Sequence, residues 1–306
     1  MVKKMVKRLD LYEQISSNKR RSFILVVLFF AFIIFLGYVV GFFYGSSYFG
    51  IGMAVVIGFI YFLFSYYGGA SAILTMTKAK EAKKPKYTHL INTVEGIAIA
   101  AGLAKPPKVY VINDSALNAF ATGRDPEHSS VTVTTGLLEK LNKLELEGVI
   151  AHEIAHIKNY DIRVMLLASV MVGVTVLLSD FILRSFLWGR RDSRDSGNLG
   201  IIMIVVGIVL AILAPLVGEV IKLAISRKRE YLADASGAML TRYPKGLADA
   251  LRKIKGDPDP LVDHANKATA HLFISTPFRK TRKMMFKNLF NTHPPIDERI
   301  RRLDNM

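Results

Sequence analysis

His152, Glu153 and His156 stand together in the stretch "VIAHEIAHIKNYD", Val149 to Asp161. Histidines four residues apart lie one turn apart on the same helix face, so both rings can reach one ion. Glu153, next to His152, can point to the same side. Two imidazoles and a neighbouring carboxylate are the parts of a hydrolytic metal centre: ligands, and a base for water. Val149, Ile150 and Ala151 before the pair, and Ile154 and Ala155 within it, are apolar. A metal helix buried on one side needs such flanks. The competing reading is an amphipathic helix that carries two partly buried histidines, and the combined pattern favours the metal.

A hydrolytic zinc takes three protein ligands and leaves one position for water. A third ligand must therefore lie elsewhere. A metzincin pattern would need Gly at 159 and His at 162, where Asn159 and Ile162 stand, and that class is excluded. "SRKREYLADASGAML", Ser226 to Leu240, offers Glu230 and Asp234, again at helical spacing. Glu230 suits a metal ligand. Asp234 suits an acceptor for the far nitrogen of a ligating histidine, which fixes the ring and raises its basicity. The plainer reading of Asp234 is a surface charge. Asp161 reads equally as such an acceptor or as a helix-end charge.

The elements around these residues divide between membrane and water. Hydrophobic residues make up 51% of the 306, charged residues 22%, and the net charge is +16. Between Ser22 and Thr77 there is no charged residue, a run far longer than the roughly 20 residues one spanning helix needs. "YGSSYFG" interrupts it, so two spans are expected, near 22–43 and 50–68. A third apolar block covers 164–183, broken by Asp180, and a fourth covers 199–218. Lys3, Lys4, Lys7, Arg8, Lys19, Arg20 and Arg21 precede the first span, and the first interspan loop carries no Lys or Arg. This bias places the N-terminus, residues 78–163 and everything after about 222 in the cytoplasm. Arg184, Arg190, Arg191 and Arg194 make the loop between the last two blocks unusually basic for the far side. Either that pair is a hairpin that does not fully cross, or the bias is weak there; crossing is preferred. Basic flanks beside spans account for the positive charge through anionic headgroups, without nucleic acid. There are no cysteines, hence no disulfide framework and no thiolate chemistry.

Four segments follow: residues 1–77 as tail and span pair, 78–163 as the first half of a cytoplasmic domain with the metal helix, 164–221 as a second span pair, and 222–306 as the second half. The two halves must pack together. "HLINTVEGIAIAAGLA" reads as a helix, "KPPKVYVIND" as a turn and strand, and "LNAFATG" and "SSVTVTTGLL" as strands. The order is helix, short sheet, helix, span pair, helix. Residues 257–290 read as a loop or lid. Its "RKTRKMMFK" either rests on an anionic membrane surface or is solvated.

"HEIAH", two apolar blocks, "EYLAD" and "THPPIDERIRRL", in that order, resemble the HtpX-type membrane zinc metalloproteases, relatives of the CAAX prenyl proteases. "NAFATG" (118–123) and "LFISTPF" (272–278) are similar to the same family. The resemblance covers residue 80 onward and fits the paired N-terminal spans. It implies a mainly α membrane protein of about four transmembrane helices with an α+β zincin-like (gluzincin) domain. It implies one zinc per chain on His152, His156 and Glu230, with Glu153 as base. It places His293 and Arg299 near the site as donors to a developing oxyanion. It also implies a multi-pass plasma-membrane enzyme whose cytoplasmic active site removes damaged or misassembled membrane proteins. With the strand pattern, it suggests that "NAFATG" forms an exposed strand edge beside the metal, where Asn118 and Ala119 contact the backbone of a polypeptide substrate. Two other classes remain. A membrane metal transporter would carry its ligands at bilayer depth, yet Asp180 is the only acid well inside a block. An inactive scaffold would usually lack a ligand or the base, and all four positions are intact. The sequence sets no oligomeric state.

Overall fold

The computed structural model describes residues 11–43, 45–168, 227–257 and 294–306. The apolar blocks beyond residue 168, Asp180, the basic loop between them, the 257–290 segment beyond Asp257, "LFISTPF" and His293 lie outside the described residues.

Helices α1 (Leu11–Phe43) and α2 (Ser47–Met76) form a hairpin. Segments Ile15–Tyr38 and Ser47–Met76 are long and apolar enough to cross a membrane. Gly45, at φ +85°, turns the chain, and the Ser46 hydroxyl caps α2 by accepting from the Phe49 N–H. The helices meet backbone to backbone near the turn. A Cβ on Gly37 would lie 2.7 Å from the Gly50 carbonyl oxygen, and one on Gly41 would lie 2.6 Å from that of Ser46. Small residues allow this approach where lipid offers no hydrophobic drive between helices. Phe23, Phe42, Tyr48 and Phe64 face outward, a surface suited to hydrocarbon. Both helices exceed the expected spans. α1 starts at Leu11, so its first turns carry Asn18 and the basic residues. α2 starts at Ser47 rather than Gly50 and runs past Gly68 to Met76, with Gly69 buried.

Four strands follow: β1 (Lys80–Glu81), β2 (Lys108–Ile112), β3 (Ala119–Asp125) and β4 (His128–Thr134), in the order β1-β2-β4-β3. β2 is parallel to β4, and the other pairs are antiparallel. In register, Val109 and Val111 face Val131 and Val133, which face Ala121 and Ala119. These small and β-branched residues make one apolar face, covered by α3 (Thr88–Ala101) and α5 (Lys143–Lys158). Phe120 and Ile112 point to the other face, against Ile73 of α2 and Leu166. "NAFATG" is therefore an edge strand, as its pattern suggests, but not an exposed one. Asn118 is 2% and Ala119 1% accessible, because helices cover both faces.

Thr134 ends β4 and caps the short α4 (Thr135–Lys140). Asn142 and Glu145 then form a reciprocal capping box that starts α5, satisfying two otherwise unpaired N–H groups. A helical stretch at 161–168 follows α5, and α6 (Arg227–Thr241), α7 (Pro244–Gly256) and α8 (Ile296–Asp304) are the remaining described helices. α5 is the hub. It packs against α3, β3, α6 and α7, and is buried on all sides from Leu146 to Ile157 except for partly buried Glu147. The amphipathic reading of this segment fails because α6 and α8 cover its polar face too. Glycines set the spacing: a Cβ on Gly148 would meet the Leu247 backbone nitrogen at 2.6 Å.

Candidate active site

α5 does not run on into the apolar block that follows. It stops at Lys158, Asn159 caps it, and Tyr160 takes a left-handed φ of +60°. A new helix begins at Asp161. On a continuous helix, Asp161 would sit about 140° round the axis from His156. The break brings it back, and His156 Nδ1 lies 2.9 Å from Asp161 Oδ2. Asp161 is thus the ring acceptor, one of the two readings its position allowed.

α6 crosses α5 closely enough for its carboxylates to reach the same rings. Gly237 permits this, since a Cβ there would lie 3.0 Å from the His152 backbone nitrogen. Glu230 then reaches both histidines, with Oε1 3.5 Å from His156 Nε2 and Oε2 3.8 Å from His152 Nε2. The two Nε2 atoms are 3.2 Å apart. Asp234, one turn further along α6, puts Oδ1 3.0 Å from His152 Nδ1. Each ring thus has its Nδ1 on a carboxylate, which fixes the tautomer and leaves Nε2 for a metal.

Arg299, from α8, is 1% accessible and holds Asp234 with both forks: Nε to Oδ2 at 2.9 Å and Nη2 to Oδ1 at 2.7 Å. Its Nη1 lies 3.7 Å from Glu230 Oε2. Burial works against ionised Asp234, but Arg299 and His152 outweigh it and hold its carboxyl at about 2. The same pairing raises the Arg299 guanidinium further against its own desolvation. Desolvation likewise opposes charge on His156, yet the Asp161 hydrogen bond and the Glu230 carboxylate push it up to about 9. Glu153 is buried with them at 3% accessibility.

His152, His156 and Glu230 offer ligand atoms within 4.8 Å of one another, all buried. A tetrahedral ion with metal–ligand distances of about 2.0–2.1 Å spaces its ligand atoms about 3.3 Å apart. The two Nε2 atoms, at 3.2 Å, and Glu230 Oε1, 3.5 Å from His156 Nε2, are near this spacing, while the other carboxylate oxygen lies 3.8 Å from His152 Nε2. Two neutral imidazoles and one carboxylate are also a donor set that suits zinc.

Sequence reasoning missed two residues here. Arg229, beside Glu230, points Nη1 at Asp161 Oδ1 at 3.4 Å, although its basic surroundings suggested only a membrane flank. Asn18 of α1 donates its amide to the same oxygen at 2.8 Å. Nothing in its local sequence signalled that.

Known proteins resemble the chain over most of its length. The family model described as peptidase family M48 matches residues 85–306. A "Protease HtpX homolog" of Dictyoglomus turgidum is 46% identical over 98% of this chain and 96% of its own length. Proteins of the same description from Caldanaerobacter subterraneus subsp. tengcongensis and Listeria monocytogenes are 45% and 42% identical, covering 99% and 97% of this chain and 99% and 100% of theirs. A solved structure, the crystal structure of S. mikatae Ste24p, aligns with a TM-score of 0.45 at 20% identity, over 80% of this chain and 58% of that one. With matches that span the apolar hairpin and the histidine cluster alike, the chain belongs to peptidase family M48 and is a membrane metalloprotease.

Proposed function

We propose that the chain is a zinc endopeptidase that hydrolyses peptide bonds in misfolded or damaged membrane proteins at the cytoplasmic face of the plasma membrane. The observation that carries this is the convergence of His152, His156 and Glu230, with each ring backed by its own carboxylate. These three residues hold one zinc per chain. Bound there, zinc supplies a water acidified to near neutrality and polarises the scissile carbonyl. Glu153 takes a proton from the attacking water and hands it to the leaving amine. Asp234 and Asp161 keep the imidazoles oriented. Arg299 keeps Asp234 ionised and places positive charge beside Glu230. The Arg299 guanidinium is thereby committed to Asp234, so of the two oxyanion donors the resemblance offered, Arg299 and His293, the second keeps that role.

The remaining architecture belongs to the same reading. Residues 164–221 form a second transmembrane pair, giving about four spans, and the segments 78–163 and 222–306 together make a gluzincin-type domain. In this reading β3 receives extended substrate as an added strand through main-chain hydrogen bonds at Asn118 and Ala119, which requires the cover over these two buried residues to move aside. The Ala119 N–H lies 3.1 Å from Asn118 Oδ1 rather than in the β4 ladder. A substrate carbonyl could take that place. A scaffold without catalysis has less support, since ligands and base are all present and enclosed.

The test uses full-length chain in detergent, stripped with a chelator and then given zinc, with casein as substrate. Wild type should cleave only with zinc, and Glu153→Gln should bind zinc without cleaving. Cleavage by Glu153→Gln would remove Glu153 as the base. Zinc binding without cleavage by wild type would favour the scaffold.

A further inference from the structure

We infer that Asn18, on the first membrane helix, is a positioning residue for the metal site, acting through Asp161 and Arg229. Its side chain is 3% accessible, and its polar atoms are engaged. Nδ2 donates to the Asn159 carbonyl at 2.7 Å and to Asp161 Oδ1 at 2.8 Å. Oδ1 accepts from Arg229 Nη1 at 3.4 Å. The first two bonds hold the turn around left-handed Tyr160, the turn that lets Asp161 face His156. The third reaches the residue before Glu230. One carboxamide therefore ties α1 to both chain segments that supply ligands. Lys19 adds to the docking, its ammonium 4.8 Å from the Tyr160 ring centroid.

An asparagine suits this position better than a charge or a hydroxyl. Two donors and one acceptor are needed, spread over a carbonyl, a carboxylate and a guanidinium, and the carboxamide supplies both kinds without net charge. Aspartate would set a second carboxylate against Asp161. Leucine would leave Asp161 Oδ1 and the Asn159 carbonyl without the amide. Either change frees Asp161 to turn away from His156, and loss of an oriented acceptor behind a ligating histidine typically weakens metal binding 10- to 100-fold. The membrane hairpin is then part of the metal site's support as well as its anchor.

This rests on the zinc site proposed above, and the experiment separates the two. Full-length wild type, Asn18→Leu, Asn18→Asp and, as control, Ser22→Ala are purified in detergent. Ser22 is a buried residue one turn along the same helix. Zinc affinity is measured by competition with a chromophoric chelator, and cobalt is substituted to read the visible bands of the site. Both Asn18 variants should bind zinc about 10- to 100-fold more weakly, with shifted cobalt bands, while Ser22→Ala matches wild type. A folded Asn18 variant with wild-type affinity and spectrum would overturn the inference. So would an equal loss in Ser22→Ala, which would mean general loosening of α1. Coupling is reciprocal, so zinc added to wild type should slow amide exchange in residues 15–21. Unchanged exchange there would overturn the inference even if neither variant folded. Wild type that binds no zinc would overturn both this and the proposed function.

Discussion

Arg299 and Asp234 form a two-point ion pair, at 2.7 and 2.9 Å, sealed between α6 and α8 directly behind the ring of His152. Because the pair holds Asp234 at about 2, the carboxylate is ionised whenever the chain is folded near neutrality. Its job as acceptor for His152 is then independent of working pH. Arg299→Lys should fail to replace it, since an ammonium cannot grip both oxygens in the guanidinium plane. We expect zinc affinity to fall roughly 10- to 100-fold, read by chelator competition. Arg299→Met should also lower unfolding stability by about 3–5 kcal/mol, because a buried carboxylate loses its counterion. Wild-type zinc affinity in the lysine variant would show that one contact is enough.

Gly237 tests whether the approach of α6 to α5 sets the ligand geometry. Alanine there brings a Cβ to 3.0 Å from the His152 backbone nitrogen, and valine adds two methyls in the same gap. Gly237→Ala should weaken zinc binding modestly and Gly237→Val much more, as Glu230 is levered away. Gly148→Ala is the comparison. It clashes with Leu247 at 2.6 Å, so it should cost about 1–3 kcal/mol of stability by overpacking. If Gly148→Ala disturbed zinc as much as Gly237→Val did at equal stability, the spacing argument would fail.

The metal-free chain should show a pH dependence of its own. His156 is raised from an ordinary value near 6.5 to about 9, so its proton stabilises the folded, metal-free state. That contribution is complete below about 6.5 and is lost as pH rises through about 9. Melting of the chelated chain should therefore drop over that window. Zinc must displace this proton, so uptake at pH 7.5 should release about one proton, measured by calorimetry in two buffers of different ionisation enthalpy. Zinc binding with no proton release would mean that His156 is already neutral in the metal-free state.

Strand addition at β3 is open to one substitution. The Ala119 N–H is outside the β4 ladder, so proline can replace it without removing a ladder bond, as edge strands tolerate. A main-chain hydrogen bond is worth about 0.5–1.5 kcal/mol, so Ala119→Pro should lower kcat/KM on casein roughly 2- to 10-fold. Zinc affinity should stay as it was. Full activity in this variant would end the case for substrate pairing at this position.

The residues of the buried imidazole and carboxylate cluster were legible because helical spacing is local. His152 and His156, and separately Glu230 and Asp234, are each one turn apart, and a single helix fixes that relation. The strands at Lys108, Ala119 and His128 were legible from β-branched runs between turns. The rest depends on contacts remote in sequence. "NAFATG" looked exposed because its pattern cannot tell that α5 covers one face and α2 the other. Nothing in "IKNYDIRV" announces the helix break at Tyr160. Asp161 read two ways until that break was located. Asn18 looked like one more polar residue in a basic leader, and its partners lie more than 140 residues away.

The order of the ligands along the chain also has a meaning in time. His152 and His156 leave the ribosome first, Glu230 follows after the 169–226 stretch, and Arg299 comes later still. At about 5–20 residues per second, the interval from His156 to Arg299 is on the order of ten seconds. For about the first half of that interval the nascent chain has two imidazoles without Glu230, and for all of it the chain lacks the guanidinium that steadies Asp234. The His152, Glu230 and Asp234 cluster is therefore complete only once α8 has been made, so its assembly is a late step in the synthesis of the chain.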